Sequence, residues 1–349
     1  MQLLNSWYAI AFSSDVKSGQ PTAAVIHDQR LALWRTSSGR VIASQDRCPH
    51  KGASLSSGTV ADDHLVCGYH GWCFKEDGVC DSIPAQPQQD TIPHRAHLRQ
   101  LHCEESQGFV WVWWPKDGMA AEPSAPQPLP EVGPLPAADD NQWRVLEGQV
   151  DWDAHYLRVL EAFSDLTHAP FVHSGSFGAM APDQLLPEEH WSTEDSVYEK
   201  VLAPRDKNYR ADQGRGLRAW FNLDSNAKQD ESDDAGVQHI QLWLANVSLV
   251  RVVFGDFQIS LLTAHVPVGE GKTRNLWRHY RSFLRTPLAD GNARGRVDRF
   301  MAEDQRMVET LSPTTPDLDG RGDLLVGSDV STLNLRKILR DKRSKGLLL

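Results

Sequence analysis

The stretch RCPHKGASLSSGTVADDHLVCGYHGW, residues 47–72, holds four soft metal ligands in two mixed pairs. Cys48 and His50 form the first pair, Cys67 and His70 form the second, and 16 residues lie between the pairs. Structural zinc sites usually pair like with like, as C-x2–4-C or H-x3–5-H. Each half of this stretch carries one thiol and one imidazole instead, so zinc is the less favoured interpretation.

A cluster with two irons requires such a mixture of ligands. In a Rieske centre, two thiolates bind one iron and two imidazoles bind the other. The pattern therefore predicts two loops, each of which gives one ligand to each iron. Pro49 stiffens the first loop, while Gly68 and Gly71 let the backbone of the second loop approach the cluster. The alternative of four buried structural side chains does not account for this order between β-like runs.

The bulk composition is that of an ordinary soluble globular protein. With 349 residues the chain exceeds what one hydrophobic core usually organises, so we expect two domains. The net charge of −10 argues against a nucleic-acid binder. No apolar run approaches the roughly 20 residues that cross a bilayer, and no signal peptide is apparent, so we expect a cytoplasmic protein without a membrane span. Four of the five cysteines fall between residues 48 and 80, which favours metal or redox chemistry over disulfides.

Three regions differ in their residue patterns. Residues 1–118 contain short β-like runs separated by turn residues, which predicts an all-β domain. Residues 119–140 hold six prolines and are typical of a linker between domains. Residues 141–349 mix helical and strand patterns, which predicts an α+β domain in which long helices lie on a sheet. Helical patterns cover 151–168, 293–313 and 331–346, and strand-like runs cover 237–254 and 257–268.

The second domain offers ligands for a further metal. Non-heme Fe(II) oxygenases use two histidines and one carboxylate on one face of the iron. The run EAFSDLTHAPFVH contains Asp165, His168 and His173. Histidines five apart do not share one face of a continuous helix, but Pro170 disfavours helix at the residue before it. We therefore expect the helix to end near His168 and His173 to return to the metal; the alternative is a pair of ordinary packing or surface histidines.

The carboxylate is expected at Asp304. The run RVDRFMAEDQRMVETL has an apolar stripe at helical spacing, formed by Val297, Phe300, Met301, Met307, Val308 and Leu311. Asp304 is the polar interruption on that stripe, and a buried carboxylate must be paired or must ligate a metal. The alternative partner is a buried Arg or Lys. Glu303 falls off the stripe, so we expect it to be solvated.

The motif CPHKGASLSSG…LVCGYHGW, together with D-x-x-H-x4-H and the later AED, resembles the Rieske non-heme iron oxygenase family. The resemblance runs from NSWYAIA to LNLRKILR and is nearest to the branch with vanillate and dicamba O-demethylases, caffeine N-demethylases and saxitoxin-pathway hydroxylases. It implies a helix-grip fold like that of START domains for the second domain, and His168, His173 and Asp304 as ligands of a mononuclear iron. It also implies Asp165 as the acid that bridges a cluster histidine to an iron-ligand histidine across the subunits of a homotrimer. A plain helix acid is the alternative for Asp165.

The resemblance implies a monooxygenase or oxidative demethylase that uses O2. Electrons from NAD(P)H would come through a separate ferredoxin or flavin reductase, because the chain has no G-x-G-x-x-G dinucleotide fingerprint. The expected substrate is a small aromatic, heterocyclic or alkaloid-like molecule that is hydroxylated or loses an N- or O-methyl group. Two alternatives stay open: a ring-hydroxylating cis-dioxygenase, and a Rieske electron-transfer protein whose second domain is not catalytic.

Overall fold

In the computed structural model of the chain, the described residues are 1–86, 92–116, 126–137, 140–173, 189–203, 236–254 and 256–349. They divide into two compact units. The first unit comprises Met1–Val132, Val266–Glu270 and Lys342–Leu349, and the second comprises Gly133–His265 and Gly271–Asp341. The division falls inside the proline-rich segment, whose residues 119–125 and 138–139 lie outside the described part of the chain.

The first unit is built from short β-strands, as its sequence pattern predicts. The strands are β1 (Ser6–Phe12), β2 (Thr22–Ile26), β3 (Gln29–Arg35), β4 (Val41–Gln45), β5 (Thr59–Ala61), β6 (His64–Val66), β7 (Cys73–Phe74), β8 (Cys80–Ser82), β9 (Gln100–Leu101), β10 (Cys103–Ser106) and β11 (Phe109–Trp114). They form three sheets with the orders β1-β11-β10, β2-β3-β4-β9 and β5-β6-β7-β8. Strand β11, FVWVWW, is the central strand of its sheet, between β1 and β10, and is buried along its whole length.

Two loops of this unit carry the four predicted cluster ligands. The first loop follows β4, and the second follows β6 directly. Cys48 and Cys67 belong to a buried core cluster with Trp34, Leu65 and Phe74. The thiol-bearing ends of both loops are therefore anchored in the core of the unit, as a rigid cluster site requires.

The second unit contains a seven-stranded sheet and four described helices. The strands are β12 (Arg144–Trp152), β13 (Glu189–Ser192), β14 (Ser196–Ala203), β15 (Gly236–Trp243), β16 (Val247–Phe254), β17 (Phe257–Gly269) and β18 (Lys272–Arg281), in the order β12-β18-β17-β16-β15-β14-β13. The helices are α1 (Tyr156–Ser164), α2 (Ala169–Val172), α3 (Asp290–Val308) and α4 (Val330–Ser344). Helix α1 packs on β15, β16, β18 and α3, and α3 also packs on β12 and α2.

The sequence pattern was correct about the class of this unit and wrong about several boundaries. The expected helix over 151–168 is shorter at both ends, because Asp151 and Trp152 continue β12 and the helix ends at Ser164. The strand-like run over 237–254 forms a hairpin of two strands, β15 and β16. Strand β12 lies at the edge of the sheet beside β18, more than 100 residues later, so β12 had no local partner that would identify it.

None of the described helices is both long and apolar enough to span a membrane.

Candidate metal centres

The two ligand loops of the first unit repeat one backbone arrangement. In the first, the N–H of Gly52 donates to the carbonyl of Cys48, and the N–H of Cys48 donates to the carbonyl of Ala53. In the second, Gly71 donates to the carbonyl of Cys67 at 2.9 Å, and Cys67 donates to Trp72 at 2.9 Å. The fourth residue after each cysteine needs a left-handed backbone, with φ of +77° at Gly52 and +69° at Gly71, which glycine adopts without steric cost.

The side chains of these loops segregate by ligand type. The thiols of Cys48 and Cys67 are buried, while the rings of His50 and His70 are exposed, with their centroids 4.5 Å apart. The indole of Trp72 stacks on His50 at 4.7 Å and 6°. Burial, together with the neighbouring Cys67, raises the pKa of the Cys48 thiol to about 11. A bound cation is therefore needed to hold the sulfur of Cys48 as a thiolate.

Asp46 braces the first loop and was not singled out in the sequence. Its buried carboxylate accepts hydrogen bonds from Ser54 Oγ at 2.7 Å, from the N–H of Ser56 at 2.7 Å and from Arg30 Nη2 at 2.9 Å. Burial raises the pKa of Asp46, but these hydrogen bonds outweigh it and hold the pKa below its usual value. The brace ties the end of β4 to the turn that follows the cysteine.

In the second unit, a single helical turn sets the spacing of the two histidines. His168 is the N-cap of α2 and His173 is its C-cap, and Pro170 lies in the first turn. Pro170 therefore helps to begin a helix instead of ending one, because its fixed φ suits the first turn and its missing N–H is not needed there. The expectation that α1 reaches His168 is wrong: α1 ends four residues earlier, and Asp165 is its C-cap.

The structure brings His168, His173 and Asp304 together. The two Nε2 atoms lie 3.3 Å apart, and Asp304 Oδ1 lies 3.3 Å from Nε2 of His168 and 2.9 Å from Nε2 of His173. Ligand atoms about 2.1 Å from one ion and at right angles to each other are separated by about 3 Å. The three atoms are thus spaced to bind one face of a divalent ion. Their lone pairs converge, so the atoms repel one another unless a cation or a proton lies between them.

Asp304 is 4% exposed and lies on the buried stripe of α3 with Val297, Met301 and Val308. Burial raises its pKa, but the two histidines outweigh this and hold the pKa of Asp304 below its usual value. The stripe is shorter than the sequence pattern suggested, since Met307 is 53% exposed and Leu311 is 40% exposed.

A second carboxylate faces Nδ1 of each histidine. Asp165 Oδ2 lies 3.6 Å from Nδ1 of His168, while Asp165 Oδ1 accepts hydrogen bonds from the N–H and Oγ1 of Thr167. Glu303 Oε2 lies 3.0 Å from Nδ1 of His173, and its side chain is 12% exposed. The expectation that Glu303 is solvated is wrong, because its longer side chain wraps from the flank of α3 to the imidazole.

The charges around His168 and His173 are those of a cation site. Burial lowers the pKa of His168, but Asp165 and Asp304 outweigh burial and raise it to about 9. Burial raises the pKa of Asp165, whereas His168 and Thr167 outweigh it and leave the pKa lowered. With Glu303, three carboxylates surround two imidazoles, so this group of side chains attracts positive charge.

A β-rich unit with two Cys/His loops and an α+β unit with two histidines and one carboxylate define the class of Rieske-type non-heme iron proteins. Comparison with known families agrees. Residues 6–95 match the Rieske [2Fe-2S] domain, and residues 152–344 match the vanillate O-demethylase oxygenase C-terminal domain. The chain belongs to the family of Rieske oxygenases that combine these two domains.

Curated relatives are 30–33% identical to the chain over the aligned residues. Aminopyrrolnitrin oxygenase of Pseudomonas fluorescens is 30% identical over 78% of this chain and 73% of its own length. A vanillate O-demethylase oxygenase subunit of a Pseudomonas species is 33% identical over 52% of this chain and 48% of its own. A putative toluene-4-sulfonate monooxygenase iron-sulfur subunit of Comamonas testosteroni is 30% identical over 54% of this chain and 51% of its own. The chain spans about half of the length of the latter two relatives.

Solved structures share the fold over almost the whole chain. NdmA of Pseudomonas putida CBB5, solved with caffeine, superposes with a TM-score of 0.75 at 21% identity and covers 98% of this chain and 94% of its own. Dicamba monooxygenase bound to dicamba gives a TM-score of 0.74 at 22% identity and covers 98% of each chain. The expected fold class, a β domain followed by an α+β domain with an antiparallel sheet and helices, is confirmed.

Proposed function

We propose that this chain is the oxygenase component of an O2-dependent monooxygenase or demethylase. It would hydroxylate a small aromatic, heterocyclic or alkaloid-like molecule, or remove an N- or O-methyl group as formaldehyde. The observation that carries the proposal is the convergence of His168, His173 and Asp304 in a chain that also has a Rieske [2Fe-2S] domain. The names of the relatives, which include a demethylase and several oxygenases, support the same reaction class.

Each set of side chains has a distinct task in this proposal. Cys48, His50, Cys67 and His70 would hold the cluster, and His168, His173 and Asp304 would hold a mononuclear Fe(II). When bound, the two iron centres supply electron delivery and the activation of O2. Three protein ligands on one face leave the opposite face for O2 and substrate.

Apolar rings limit water around the proposed iron ligands. Phe300 packs on the ring of His173 with centroids 4.5 Å apart, and Phe163 packs edge-on against Phe300 at 6.1 Å. Phe163 is buried in the core between α1, α3 and the sheet. Exclusion of water on this side strengthens the electrostatic interactions between the ligands and a bound ion.

The partners in the proposal follow the family resemblance. A separate ferredoxin or flavin reductase would pass electrons from NAD(P)H to the chain, and three copies would form a ring in which Asp165 bridges to a cluster histidine of a neighbouring copy. Asp165 suits this task because only one of its oxygens is engaged by Thr167, while the other faces His168. We further propose that residues 1–118 and 141–349 act as the cluster and catalytic domains, joined by 119–140, in a cytoplasmic protein.

The test is turnover with a generic reductase, NADH and a panel of methoxylated and N-methylated aromatics, with formaldehyde and hydroxylated product as readouts. Asp304→Ala should lower turnover by more than about 100-fold, since even a residue that only supports a ligand costs about 10- to 100-fold. The visible spectrum of the cluster should be unchanged, because Asp304 belongs to the second unit.

Asp298→Ala is the matched control, since Asp298 lies on the same helix and is exposed. Unchanged turnover in Asp304→Ala, or loss of the cluster spectrum, would refute the assignment. A wild-type protein that accepts electrons but consumes no O2 with any substrate would support the electron-transfer alternative. A cis-diol product would identify the dioxygenase alternative.

A further inference from the structure

Three residues on one face of α3 surround the imidazole of His173. Phe300 packs on the ring at 4.5 Å, Glu303 Oε2 lies 3.0 Å from Nδ1, and Asp304 Oδ1 lies 2.9 Å from Nε2. Their spacing is i, i+3 and i+4, so the three side chains share one helix face. The ring is 1% exposed, and both ring nitrogens and one ring face are therefore fixed from a single helix.

We propose that Glu303 is a positioning residue for His173, which sets the orientation and tautomer of this imidazole and thereby the affinity of the site for a divalent metal. The proposal rests on the mononuclear metal site proposed above and adds a residue outside its ligand set. Glu303 and Asp304 are consecutive, so one helical segment supplies both the carboxylate that binds and the carboxylate that orients.

The physical basis is the donor pattern of a neutral imidazole. One ring nitrogen carries a proton and the other carries a lone pair. A carboxylate 3.0 Å from Nδ1 accepts the hydrogen bond of the proton held there, which leaves the lone pair of Nε2 for a metal ion bound together with Asp304 Oδ1 and Nε2 of His168. A carboxylate partner also makes the imidazole a stronger donor to a metal.

The two histidines differ in how firmly they are held. The contact of Glu303 with His173 is shorter and more buried than that of Asp165 with His168, at 3.0 Å against 3.6 Å. Asp165 is also engaged by Thr167. Glu303 is therefore expected to act on metal affinity more strongly than Asp165.

The experiment uses the full chain with its cluster intact and its mononuclear metal removed by a chelator. Co(II) is titrated in, and both its dissociation constant and its ligand-field absorption are recorded. Glu303→Gln should weaken Co(II) binding about 10- to 100-fold and shift the absorption, because the negative charge that faces Nδ1 is lost while the shape of the side chain is kept. Glu303→Asp, which keeps the charge, should bind more tightly than Glu303→Gln.

Asp298→Asn is the control for charge alone, because it removes one carboxylate from an exposed position of the same helix. It should leave the Co(II) constant and absorption unchanged. Equal Co(II) binding and equal absorption in Glu303→Gln and wild type would overturn the inference, as would an equal loss in Asp298→Asn. If the wild-type protein binds no Co(II), the proposed mononuclear site is refuted, and this result is distinct from a failure of the role proposed for Glu303.

Discussion

Glu199 is a buried acid of the second unit that lies outside the proposed ligand set. It is 4% exposed on β14, and the hydroxyl of Ser331 donates a hydrogen bond to its carboxylate. Burial outweighs the hydrogen bond from Ser331 and, with the charge of Asp165, raises the pKa of Glu199 to about 7. Near neutral pH this side chain therefore changes its charge inside the protein.

The raised pKa of Glu199 predicts a loss of stability as the pH rises. In the unfolded chain the pKa returns to about 4.5, so between about 4.5 and about 7 the folded state binds more protons than the unfolded state. The free energy of unfolding therefore falls across this window, by at most about 3 kcal/mol at pH 8. Glu199→Gln should remove the dependence, so that the variant matches wild type near pH 5 and melts at a higher temperature at pH 8.

Thermal unfolding of the full chain between pH 5 and 8 measures this difference. Asp298→Asn is the matched control, because it removes one carboxylate from an exposed position of the second unit. The control should follow wild type across the range. Parallel melting profiles for wild type and Glu199→Gln would show that the acid does not titrate in this window.

At the scale of elements, a ring of four charges joins α1 to α4. Arg158 Nη1 lies 3.0 Å from Glu161 and 3.0 Å from Asp323, and Arg336 contacts the same two carboxylates. Each guanidinium thus meets two acids, and all four side chains are largely buried. Because α1 leads directly to Asp165 and α2, the ring fixes the helix that precedes the histidine ligands.

The ring also marks a limit of what the sequence predicts. The segment RKILRDKRSKG reads as a basic, solvated helix face, and its helix is where the pattern places it. Arg336 within it is nevertheless buried, because its partners Glu161 and Asp323 are 175 and 13 residues away and no local pattern connects them. Glu303 was missed for a related reason: its neighbour His173 approaches from another helix.

Removal of Arg336 should destabilise the second unit. Arg336→Met leaves two buried carboxylates with only Arg158, and breaking a buried ion pair costs about 3–5 kcal/mol. The midpoint of thermal unfolding should fall by about 10 °C. Lys337→Met, an exposed neighbour on the same helix, should change the free energy of unfolding by less than about 0.5 kcal/mol. Equal midpoints for Arg336→Met and wild type would show that the ring contributes no net stability.

At the scale of the whole molecule, the two proposed metal centres differ in how much of them the sequence reveals. The cluster loops are short, and each encodes its own turn through a glycine four residues after the cysteine. The second centre joins α2 to α3 across more than 130 residues, so the sequence shows only the residue types and the stripe position of Asp304. Its geometry depends on packing between helices, and packing is what composition and periodicity do not specify.

Two donor sets in two compact units predict that their metals can be removed independently. Wild type should contain three irons per chain, two in the cluster and one in the second unit. Cys48→Ala should lose the two cluster irons and the visible spectrum but keep one iron, whereas Asp304→Ala should keep two irons and the spectrum. Elemental analysis of each purified full chain gives these counts. Cys103→Ala is the control, because Cys103 lies on β10 outside both donor sets and should keep all three. Two irons in wild type would leave the second unit without a metal, and loss of all iron in either variant would show that the centres are interdependent.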